Sequence, residues 1–345
     1  MRVALITDGI WPYVLGGMQK HSYYLCKYLA RNRVHVDLVH FNQSHYDISL
    51  LEFFSEDEKQ FISAKVIDFP ASFHFPGHYL YNSYRYSKIV YEAMHDKLAT
   101  YDFIYTKGFS GWYLLEQKSK NNFPSVPVGV NFHGYEMFQK APDLKTWLRL
   151  FFLLRYPVKK ISRQADVVFS YGGKITGIIH ALDIPMNKIV EMPSGVEKET
   201  LATSVRPRGT QLQFLFLGRY ERRKGIEELN KAITNLPSQL RAQCRFHFIG
   251  PIPENKKIKS EEVVYHGEVR DRTALTALIT QCDVLLCPSW SEGMPNVILE
   301  AMSQGLAVVA TDTGATSVLV NHETGILLDS PDPVQIREAI RQLVE

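Results

Sequence analysis

The sequence predicts an α/β protein made of two doubly wound domains, each built on a parallel sheet. Three observations support this prediction. The chain has 345 residues, which is more than a single hydrophobic core usually organises. Short apolar runs alternate with longer amphipathic stretches, as expected when helices cover both faces of a parallel sheet. The alternation then restarts after a polar stretch rich in proline and glycine, Pro193–Thr210.

The first half contains short, near-continuous apolar runs with many β-branched residues, which is typical of buried strands. We predict strands at Val3–Thr7, Val34–Val39, Phe103–Thr106, Val126–Asn131 and Val167–Ser170. The longer segments between them have helical spacing, at Gly17–Ala30, His78–Leu98, Leu144–Arg163 and Gly173–Ala181.

The second half repeats this scheme after the polar stretch. Its predicted strands are Gln213–Leu217, Arg245–Ile249, Val263–Tyr265, Val284–Cys287, Ala307–Ala310 and Ile326–Leu328. Its predicted helices lie near Ile226–Asn235, Arg272–Gln281, Pro295–Gln304 and Val334–Val344. We therefore expect an N-terminal domain over residues 1–195 and a C-terminal domain over residues 196–345, with ligand loops at the carboxyl ends of the strands and a cleft between the domains.

Composition narrows the function classes. A formal net charge of +3 gives no reason to expect nucleic acid as a partner. The four cysteines form neither a C-x-x-C pair nor a zinc-finger spacing, which favours reduced thiols in a cytoplasmic protein. No apolar run reaches membrane-spanning length.

The segment Lys145–Lys160 mixes aromatic and cationic residues, and two interpretations fit it. It could lie on an anionic membrane surface, which would make the protein peripheral to the inner membrane. It could equally be a helix packed on the core with its cations in solvent, and we favour that packed helix because such stripes usually belong to a core.

A cationic loop opens the second half. The predicted strand ending at Leu217 delivers Gly218 and Arg219 to its carboxyl edge, and Lys224 follows just before the next helix. A guanidinium and an ammonium at such an edge suit a diphosphate. The alternative is a solvated charged loop, because Glu221, Arg222 and Arg223 look like surface residues.

Two carboxylates with seven residues between them form the most informative motif, Glu292-Gly293-Met294-Pro295-Asn296-Val297-Ile298-Leu299-Glu300. Pro295 suits the first turn of a helix, where its missing N–H has no partner to lose. Glu300 is the only charge in an apolar run, so we expect it to be buried and to need a hydroxyl-bearing ligand. The loop at Glu292 also precedes a helix N-terminus, which could bind phosphate oxygens. In a purely structural interpretation, Glu292 caps the helix or interacts favourably with its dipole, and Glu300 is a surface residue of the second turn.

Two features of the first half are candidates for a site. Gly16-Gly17 follows the first strand and allows a ligand to approach the backbone closely, although a plain tight turn explains it too. His133 and Tyr135 follow the strand ending at Asn131, although a lone histidine is more often structural. We predict that Gly16, His133 and Tyr135 contact a bound ligand.

These motifs resemble those of glycosyltransferase family 4, the retaining, nucleotide-sugar-dependent enzymes with a GT-B fold. Gly218 through Gly225 resembles the family's G-R-x-x-x-x-K-G element, and Glu292 through Met302 resembles its E-x7-E signature. Pro193-Ser194-Gly195-Val196-Glu197 departs from the family's P-N-G-V-D element. Members of the family usually continue past the point where this chain ends, so we expect the C-terminal domain to be truncated or coupled differently.

The resemblance implies roles for individual residues. Arg219 and Lys224 would hold the diphosphate, Glu292 the sugar hydroxyls, and Glu300 the ribose hydroxyls. Gly17 and His133 would lie beside the diphosphate and the donor sugar, and the backbone around Val269 would meet the base. We count Glu292, Arg219, Lys224 and His133 as catalytic. The predicted acceptor-binding set is Gly16, His133 and Tyr135. The predicted donor-binding set is Gly17, Gly218, Arg219, Lys224, Val269, Glu292, Gly293, Met294, Pro295, Asn296, Val297 and Glu300.

The implied reaction moves a hexosyl unit from a UDP- or GDP-sugar to a glycan or lipid-linked acceptor, with retention, in bacterial polysaccharide assembly. No D-x-D motif and no cluster with metal-ligand spacing occurs, so we expect neither a metal nor a cofactor. Three alternatives stay open: a catalytically inactive binding subunit, a nucleotide-sugar epimerase, and a nicotinamide-dependent dehydrogenase. The absence of a G-x-G-x-x-G fingerprint argues against the dehydrogenase.

Overall fold

The structure is a computed structural model that describes residues 1–14, 16–41, 51–70, 75, 77–204, 207 and 209–345. The described chain divides into two compact units. Unit 1 comprises residues 1–133, 149–170 and 176–192, and unit 2 comprises residues 134–148, 171–175 and 193–345. The main division therefore lies between Met192 and Pro193, and two short segments of the first half belong to unit 2.

The first half is organised on a seven-stranded parallel sheet with the order β3-β2-β1-β4-β5-β6-β7. Its strands are β1 (Arg2–Ile6), β2 (His35–His40), β3 (Ile62–Val66), β4 (Phe103–Lys107), β5 (Val128–Asn131), β6 (Val167–Ser170) and β7 (Ile189–Glu191). Its helices are α1 (Gly17–Arg31), α2 (Glu56–Lys59), α3 (His78–Met94), α4 (Trp112–Ser119), α5 (Leu144–Gln164) and α6 (Lys174–His180).

The second half is organised on a six-stranded parallel sheet with the order β10-β9-β8-β11-β12-β13. Its strands are β8 (Leu212–Leu217), β9 (Cys244–Ile249), β10 (Val263–Gly267), β11 (Val284–Cys287), β12 (Ala307–Thr311) and β13 (Gly325–Leu328). Its helices are α7 (Ile226–Thr234), α8 (Ser238–Arg241), α9 (Arg272–Ile279), α10 (Asn296–Ser303), α11 (Thr316–Leu319) and α12 (Pro333–Val344).

The core of unit 2 shows why its strands are apolar along their whole length. Successive strand residues point to opposite faces of a sheet, and here both faces are covered. Phe214 and Phe216 of β8 pack with the helices α7 and α12 on one face. Leu215, between them, packs with α9 and α10 on the other face. Unit 1 has its own core around β1, β2 and α1.

The predicted strands and long helices are present, with ends that differ by one or a few residues. The sequence analysis missed β3 and β7, the edge strands of the seven-stranded sheet, and the helix α4. Most residues of β3 and all three of β7 keep part of their surface in solvent, so the two strands lack the continuous apolar signal of buried strands. Pro295 was expected inside the first turn of a helix. It precedes that helix instead, because α10 begins at Asn296.

Each sheet reverses its strand order at one point, where loops leave neighbouring strands in opposite directions. The reversal lies between β1 and β4 in the first sheet and between β8 and β11 in the second. Ligands of open α/β sheets bind outside the carboxyl ends of the strands at such switch points. The loops after these four strands are therefore where the fold itself predicts a site.

Candidate functional site

The loop after β11 carries a buried carboxylate, Glu292, whose residue is only 8% exposed. Two glycines fix the backbone around this loop. Gly225 has a φ of +68°, and a Cβ there would lie 1.7 Å from the Pro288 carbonyl oxygen. Gly314 has a φ of +58°, and its Cβ would lie 2.3 Å from the Glu292 carbonyl oxygen. Only glycine tolerates both the left-handed backbone and this close approach.

The Glu292 carboxylate is held by groups from two loops of unit 2. Lys224 Nζ lies 2.5 Å from Glu292 Oε1, and the Ser289 hydroxyl donates a hydrogen bond to the same oxygen at 2.8 Å. Arg223 Nη1 lies 3.6 Å from Glu292 Oε2. The loop after β8 thus brings two cations to the acid that follows β11, across the switch point of the sheet.

The charge state of Glu292 follows from these contacts. Burial by itself raises the pKa of the Glu292 carboxyl, but the charges of Lys224 and Arg223 and the two hydrogen bonds outweigh it. The pKa of Glu292 is held below its ordinary value of 4.5. Near neutral pH, the site is therefore a buried carboxylate with a net excess of positive charge around it.

Arg219, the other predicted diphosphate ligand, takes a different position. Its side chain is 71% exposed and pairs with Glu221 at 2.7 Å. Glu221 also pairs with Arg223 at 3.0 Å, which places the three side chains in one chain of charges leading from solvent to Glu292. The Arg219 side chain is therefore in solvent at the outer end of the charges that lead to Glu292. It can contact a ligand without first moving out of the protein interior.

The expectation that Arg222 and Arg223 are plain surface residues is wrong. Arg222 pairs with Glu228 at 2.6 Å and lies over the Trp290 ring, 5.8 Å from its centroid. The backbone carbonyl oxygen of Arg223 accepts a hydrogen bond from the main-chain N–H of Trp290 at 2.7 Å. Both arginines are about two-thirds buried, and they join the cationic loop to the loop of Glu292.

Gln139 also contributes to the site, and the sequence analysis missed it. It lies in the 134–148 segment of unit 2. Its side-chain amide forms hydrogen bonds with both the carbonyl oxygen and the main-chain N–H of Glu292. Gln139 Nε2 donates to the Glu292 carbonyl oxygen at 2.7 Å, and the Glu292 N–H donates to Gln139 Oε1 at 3.3 Å. The Thr313 hydroxyl donates to that same Oε1 at 2.6 Å. No local sequence pattern predicts these contacts, because Gln139 and Glu292 are 153 residues apart in the chain.

The E-x7-E motif is arranged differently from what we expected. Glu300 was expected to be buried on nearly every side, but it is only partly buried. The reason is helical geometry: α10 is eight residues long and buries Ile298, Ala301 and Ser303, while Glu300 lies beside that face. The buried acid of the motif is therefore Glu292, and Glu300 stays accessible to a ligand.

Apart from Gly17, the remaining predicted donor-binding residues lie in the same loop or follow neighbouring strands. Gly293, Met294 and Pro295 are buried, whereas Asn296 and Val297 at the start of α10 are partly exposed. Gly218 follows β8 directly, and its N–H donates to the Ile249 carbonyl oxygen at 2.9 Å. Val269 follows β10 and packs against the core on the α9 and α10 face. All of these residues belong to unit 2.

Unit 1 has a cluster of ionisable side chains at its own switch point. Asp8 follows β1, and Lys107 is the last residue of β4. Lys107 is 1% exposed, and its Nζ lies 2.8 Å from Nδ1 of His21 on α1. Asp8, His21 and His133 each keep part of their surface in solvent. Lys107 is thus the buried member of the cluster, and Asp8, His21 and His133 are partly exposed.

Burial dominates the protonation of this cluster. It lowers the pKa of Lys107 to about 7, against the attraction of Asp8. It raises the pKa of Asp8 to about 6, against its hydrogen bonds and the charge of Lys107. Burial and the neighbouring charges of Lys107 and His133 hold the pKa of His21 well below 6.5. His21 is therefore neutral near pH 7, and a protonated Lys107 donating to its Nδ1 leaves the ring proton on Nε2.

The predicted acceptor residues are spread over both units. Gly16 precedes α1 and Gly17 begins it, and His133 ends the first segment of unit 1. Tyr135 belongs to unit 2, has a φ of +43° and is only 1% exposed, so its ring is part of the interior. Sequence reasoning missed Asp8, His21 and Lys107, although a charged residue directly after each of two buried strands is a signal that could have found Asp8 and Lys107.

Two kinds of feature are absent from the described residues. These residues contain no group of three or more His, Cys, Asp or Glu side chains placed to hold a metal ion. None of their helices combines the length and the apolar character needed to cross a membrane. The four cysteines, Cys26, Cys244, Cys282 and Cys287, are buried free thiols.

Comparison with known proteins agrees with the geometry. The sequence model of "Glycosyltransferase Family 4" matches residues 15–200, and that of "Glycosyl transferases group 1" matches residues 211–345. The putative teichuronic acid biosynthesis glycosyltransferase TuaC of Bacillus subtilis is 31% identical over 126 residues, which is 36% of this chain and 31% of TuaC. A glycosyltransferase of Methanocaldococcus jannaschii is 24% identical over 99% of this chain and 88% of its own.

Solved structures share the fold. Sucrose-phosphate synthase of Thermosynechococcus elongatus superposes with a TM-score of 0.76 at 20% identity, covering 99% of this chain and 89% of that one. HepE of Anabaena, solved in complex with UDP, gives a TM-score of 0.65 at 18% identity, covering 100% of this chain and 90% of its own. The architecture is therefore an α/β fold of the GT-B type, and the chain belongs to glycosyltransferase family 4.

Proposed function

We propose that this protein moves a hexosyl unit from a UDP- or GDP-sugar to a glycan or lipid-linked acceptor, with retention of the anomeric configuration. The observation that carries the proposal is the Lys224–Glu292 pair, 2.5 Å apart at the switch point of unit 2, with Arg219 exposed beside it. A diphosphate needs cations that are already in place, and a sugar ring needs a fixed hydrogen-bond acceptor. This one site offers both.

The roles follow from what each side chain can reach. Lys224 and Arg219 would bind the diphosphate and stabilise the negative charge that develops on it as the glycosidic bond breaks. Glu292 would accept hydrogen bonds from hydroxyls of the donor sugar. Glu300, partly exposed on α10, would accept hydrogen bonds from the ribose hydroxyls. The main-chain N–H groups at the start of α10 would add donors for the phosphate oxygens.

The leaving diphosphate supplies the base in this proposal. The acceptor hydroxyl attacks the anomeric carbon from the face that the diphosphate leaves, and a phosphate oxygen takes the hydroxyl proton. No side-chain nucleophile is needed. By resemblance to the family, we assign Gly17 and His133 to the diphosphate and the donor sugar. We propose Gly16 and His133 for the acceptor, and we leave Tyr135 out because its ring is only 1% exposed. We propose polysaccharide or glycoconjugate assembly as the context. TuaC, by its name, acts in one such assembly.

The proposal includes catalysis without a metal ion or another cofactor, because Lys224, Arg219 and Arg223 provide the positive charge beside Glu292. The test is transfer in the presence of EDTA, compared with transfer after addition of Mg²⁺ or Mn²⁺. Equal rates support the proposal, and restoration of a lost rate by either ion contradicts this part of it.

The decisive experiment screens UDP- and GDP-sugars, and NAD as a control, for protection of the purified protein against thermal unfolding. The best donor is then incubated with a panel of sugars and polyprenyl-linked acceptors, and the anomeric configuration of the product is read by NMR. We expect Lys224→Ala to lose both protection and transfer. The matched control is Lys231→Ala, because Lys231 is an exposed lysine of α7 in the same unit.

The alternatives predict different results. A binding subunit would be protected by a nucleotide sugar but would neither transfer nor hydrolyse it. An epimerase would convert the donor sugar without any acceptor. Protection by NAD and by no nucleotide sugar would overturn the proposal.

A further inference from the structure

Helix α5 has a composition unlike that of the other helices described above. Its 21 residues contain six basic side chains and no acidic one. The basic residues are Lys145, Arg149, Arg155, Lys159, Lys160 and Arg163. A surface helix packed on a core usually carries charges of both signs on its solvent face. Six like charges on one helix raise its local potential and call for an explanation beyond packing.

The two ends of α5 pack differently. Near its C-terminal end, Val158 and Ile161 are fully buried in the core. The first 13 residues, 144–156, include nine large apolar or aromatic side chains, yet none of these 13 residues is buried among the described residues. The packed-helix interpretation favoured by the sequence therefore holds for the end of α5 only. Its beginning is apolar but not covered by the described part of the chain.

The apolar side chains at the beginning of α5 form a continuous stripe. Leu144, Leu148, Phe152 and Tyr156 are four residues apart, so they lie above one another on the helix surface. They are 70%, 39%, 72% and 75% exposed, respectively. Exposed apolar residues are ordinary when scattered, but a contiguous row marks an interaction surface. We name these four residues the α5 stripe.

Positive charges flank the α5 stripe. Lys145 and Arg149 each follow a stripe residue by one position, and neither forms an ion pair among the described residues. Lys159 and Arg163, farther along, pair instead with Asp183. Lys145 and Arg149 therefore lie unpaired within the described chain where the apolar side chains are exposed, whereas Lys159 and Arg163 are paired near the end where the helix packs.

We propose that the α5 stripe, with Lys145 and Arg149, docks on the surface of an anionic lipid bilayer. Leucine and phenylalanine would enter the boundary between headgroups and acyl chains, and Tyr156 would lie at that boundary with its hydroxyl in water. Lys145 and Arg149 would extend to anionic headgroups. The helix would lie in the interface without crossing it, because no described helix is apolar enough to span a membrane.

Charge decides between a bilayer and the other occupants of such a surface. A second copy of the chain would bring a surface that is also positive, with no acid on α5 to balance it. A protein partner would have to combine apolar side chains with acids, whereas an anionic bilayer offers both properties everywhere on its surface. This inference does not depend on the proposed transfer reaction, since it needs only the residues of α5.

The test is sedimentation of the full-length protein with phosphatidylcholine vesicles that contain either no phosphatidylglycerol or about 30% of it. We expect binding to the anionic vesicles only, weakening as salt is raised. Phe152→Glu with Tyr156→Glu should weaken partitioning by about tenfold or more, because two apolar anchors become anions. Lys145→Ala with Arg149→Ala should weaken it by roughly fivefold per charge.

Matched controls come from exposed residues elsewhere. Val318→Glu with Val334→Glu changes two exposed apolar residues of unit 2, and Lys198→Ala with Lys231→Ala removes two exposed cations. Both control proteins should bind like the parent. Trp147 adds a spectroscopic readout: its emission should shift to the blue with anionic vesicles, and Trp147→Phe should remove that shift.

Three results would overturn the inference. The first is a parent protein that does not bind anionic vesicles at low salt. The second is binding of the α5 variants that equals that of the controls. The third is a dimer in sedimentation equilibrium that Phe152→Glu dissociates, which would assign the stripe to a second copy. The thermal midpoint of each variant is measured in parallel, so that loss of binding is scored only for folded protein.

Discussion

At the residue scale, the burial of the Glu292 carboxylate depends on contacts with other parts of the chain more than on the residues next to it in sequence. A buried carboxylate is tolerated only when cations and hydrogen-bond donors replace the water it has lost. Lys224 and Arg223 supply the charge, Ser289 donates a hydrogen bond to the carboxylate, and Gln139 fixes the backbone. The same groups that would bind a donor are therefore also the groups that stabilise this loop.

Lys224→Ala tests this double role. Removing the nearest cation leaves Glu292 buried with only Arg223 for charge compensation, so we expect the free energy of unfolding to fall by about 3 kcal/mol. The double variant Lys224→Met with Glu292→Gln should recover much of this loss, because it removes both buried charges, and it should still not transfer sugar. Urea unfolding of the parent, Lys224→Met, Glu292→Gln and the double variant gives the coupling energy. Additive effects would contradict the pairing.

Glu300→Ala should act on the ligand and not on the fold. Glu300 is partly exposed on α10, so its removal should leave the thermal midpoint nearly unchanged. If it binds the ribose hydroxyls, UDP or GDP should bind roughly tenfold more weakly, the cost of losing a hydrogen bond to a charged group. Calorimetric titration measures the affinity, with Glu323→Ala on the surface as the control. An unchanged affinity would sink the ribose assignment.

At the element scale, the site depends on two strands ending side by side. β8 and β11 are neighbours in the sheet, so the loops that follow them must meet whatever their distance in sequence. The cationic loop ends at Gly225, where the backbone turns into α7 and passes close to Pro288. The contact of these two loops fixes how far Lys224 is from Glu292.

Gly225→Ala should disturb this contact strongly. An alanine Cβ would meet the Pro288 carbonyl oxygen at 1.7 Å, in a backbone conformation that favours glycine, so the two loops must separate. We expect a loss of about 3 kcal/mol in unfolding free energy and weaker nucleotide binding. Gly177→Ala is the matched control, because nothing lies within 4 Å of its Cβ in α6. Its stability should stay equal or rise slightly. Equal stabilities of the two variants would contradict the argument.

At the scale of the whole molecule, the Lys107 cluster should give folding a pH dependence. The pKa of Lys107 is about 7 in the folded protein and 10.5 ordinarily, so between these values the unfolded chain binds the extra proton. Stability therefore rises with pH in that window. Asp8 acts at lower pH: its pKa of about 6, against 3.8, makes stability fall as pH rises between those values.

Lys107→Met should remove the rise at higher pH. Between pH 7 and 8.5 the parent should gain about 1.5 kcal/mol of unfolding free energy relative to the variant. Urea unfolding at the two pH values measures this difference. The buried thiols titrate alike in both proteins and cancel in the comparison. Parallel pH profiles for the two proteins would show that Lys107 keeps its proton in the folded state.

The sequence by itself determined the strand and helix pattern of the two sheets and the family. These follow from local periodicity and from short motifs such as Gly218 through Gly225. The edge strands β3 and β7 were not predicted, because their partly exposed residues form no continuous apolar run.

Only the tertiary structure decided which acid of the E-x7-E motif is buried, because burial depends on what packs against a loop or helix. It also decided that Gln139 holds Glu292, that Lys107 reaches His21, and that no described residue covers the beginning of α5. Each of these depends on residues far apart in the chain being brought together or kept apart, and no local pattern records that.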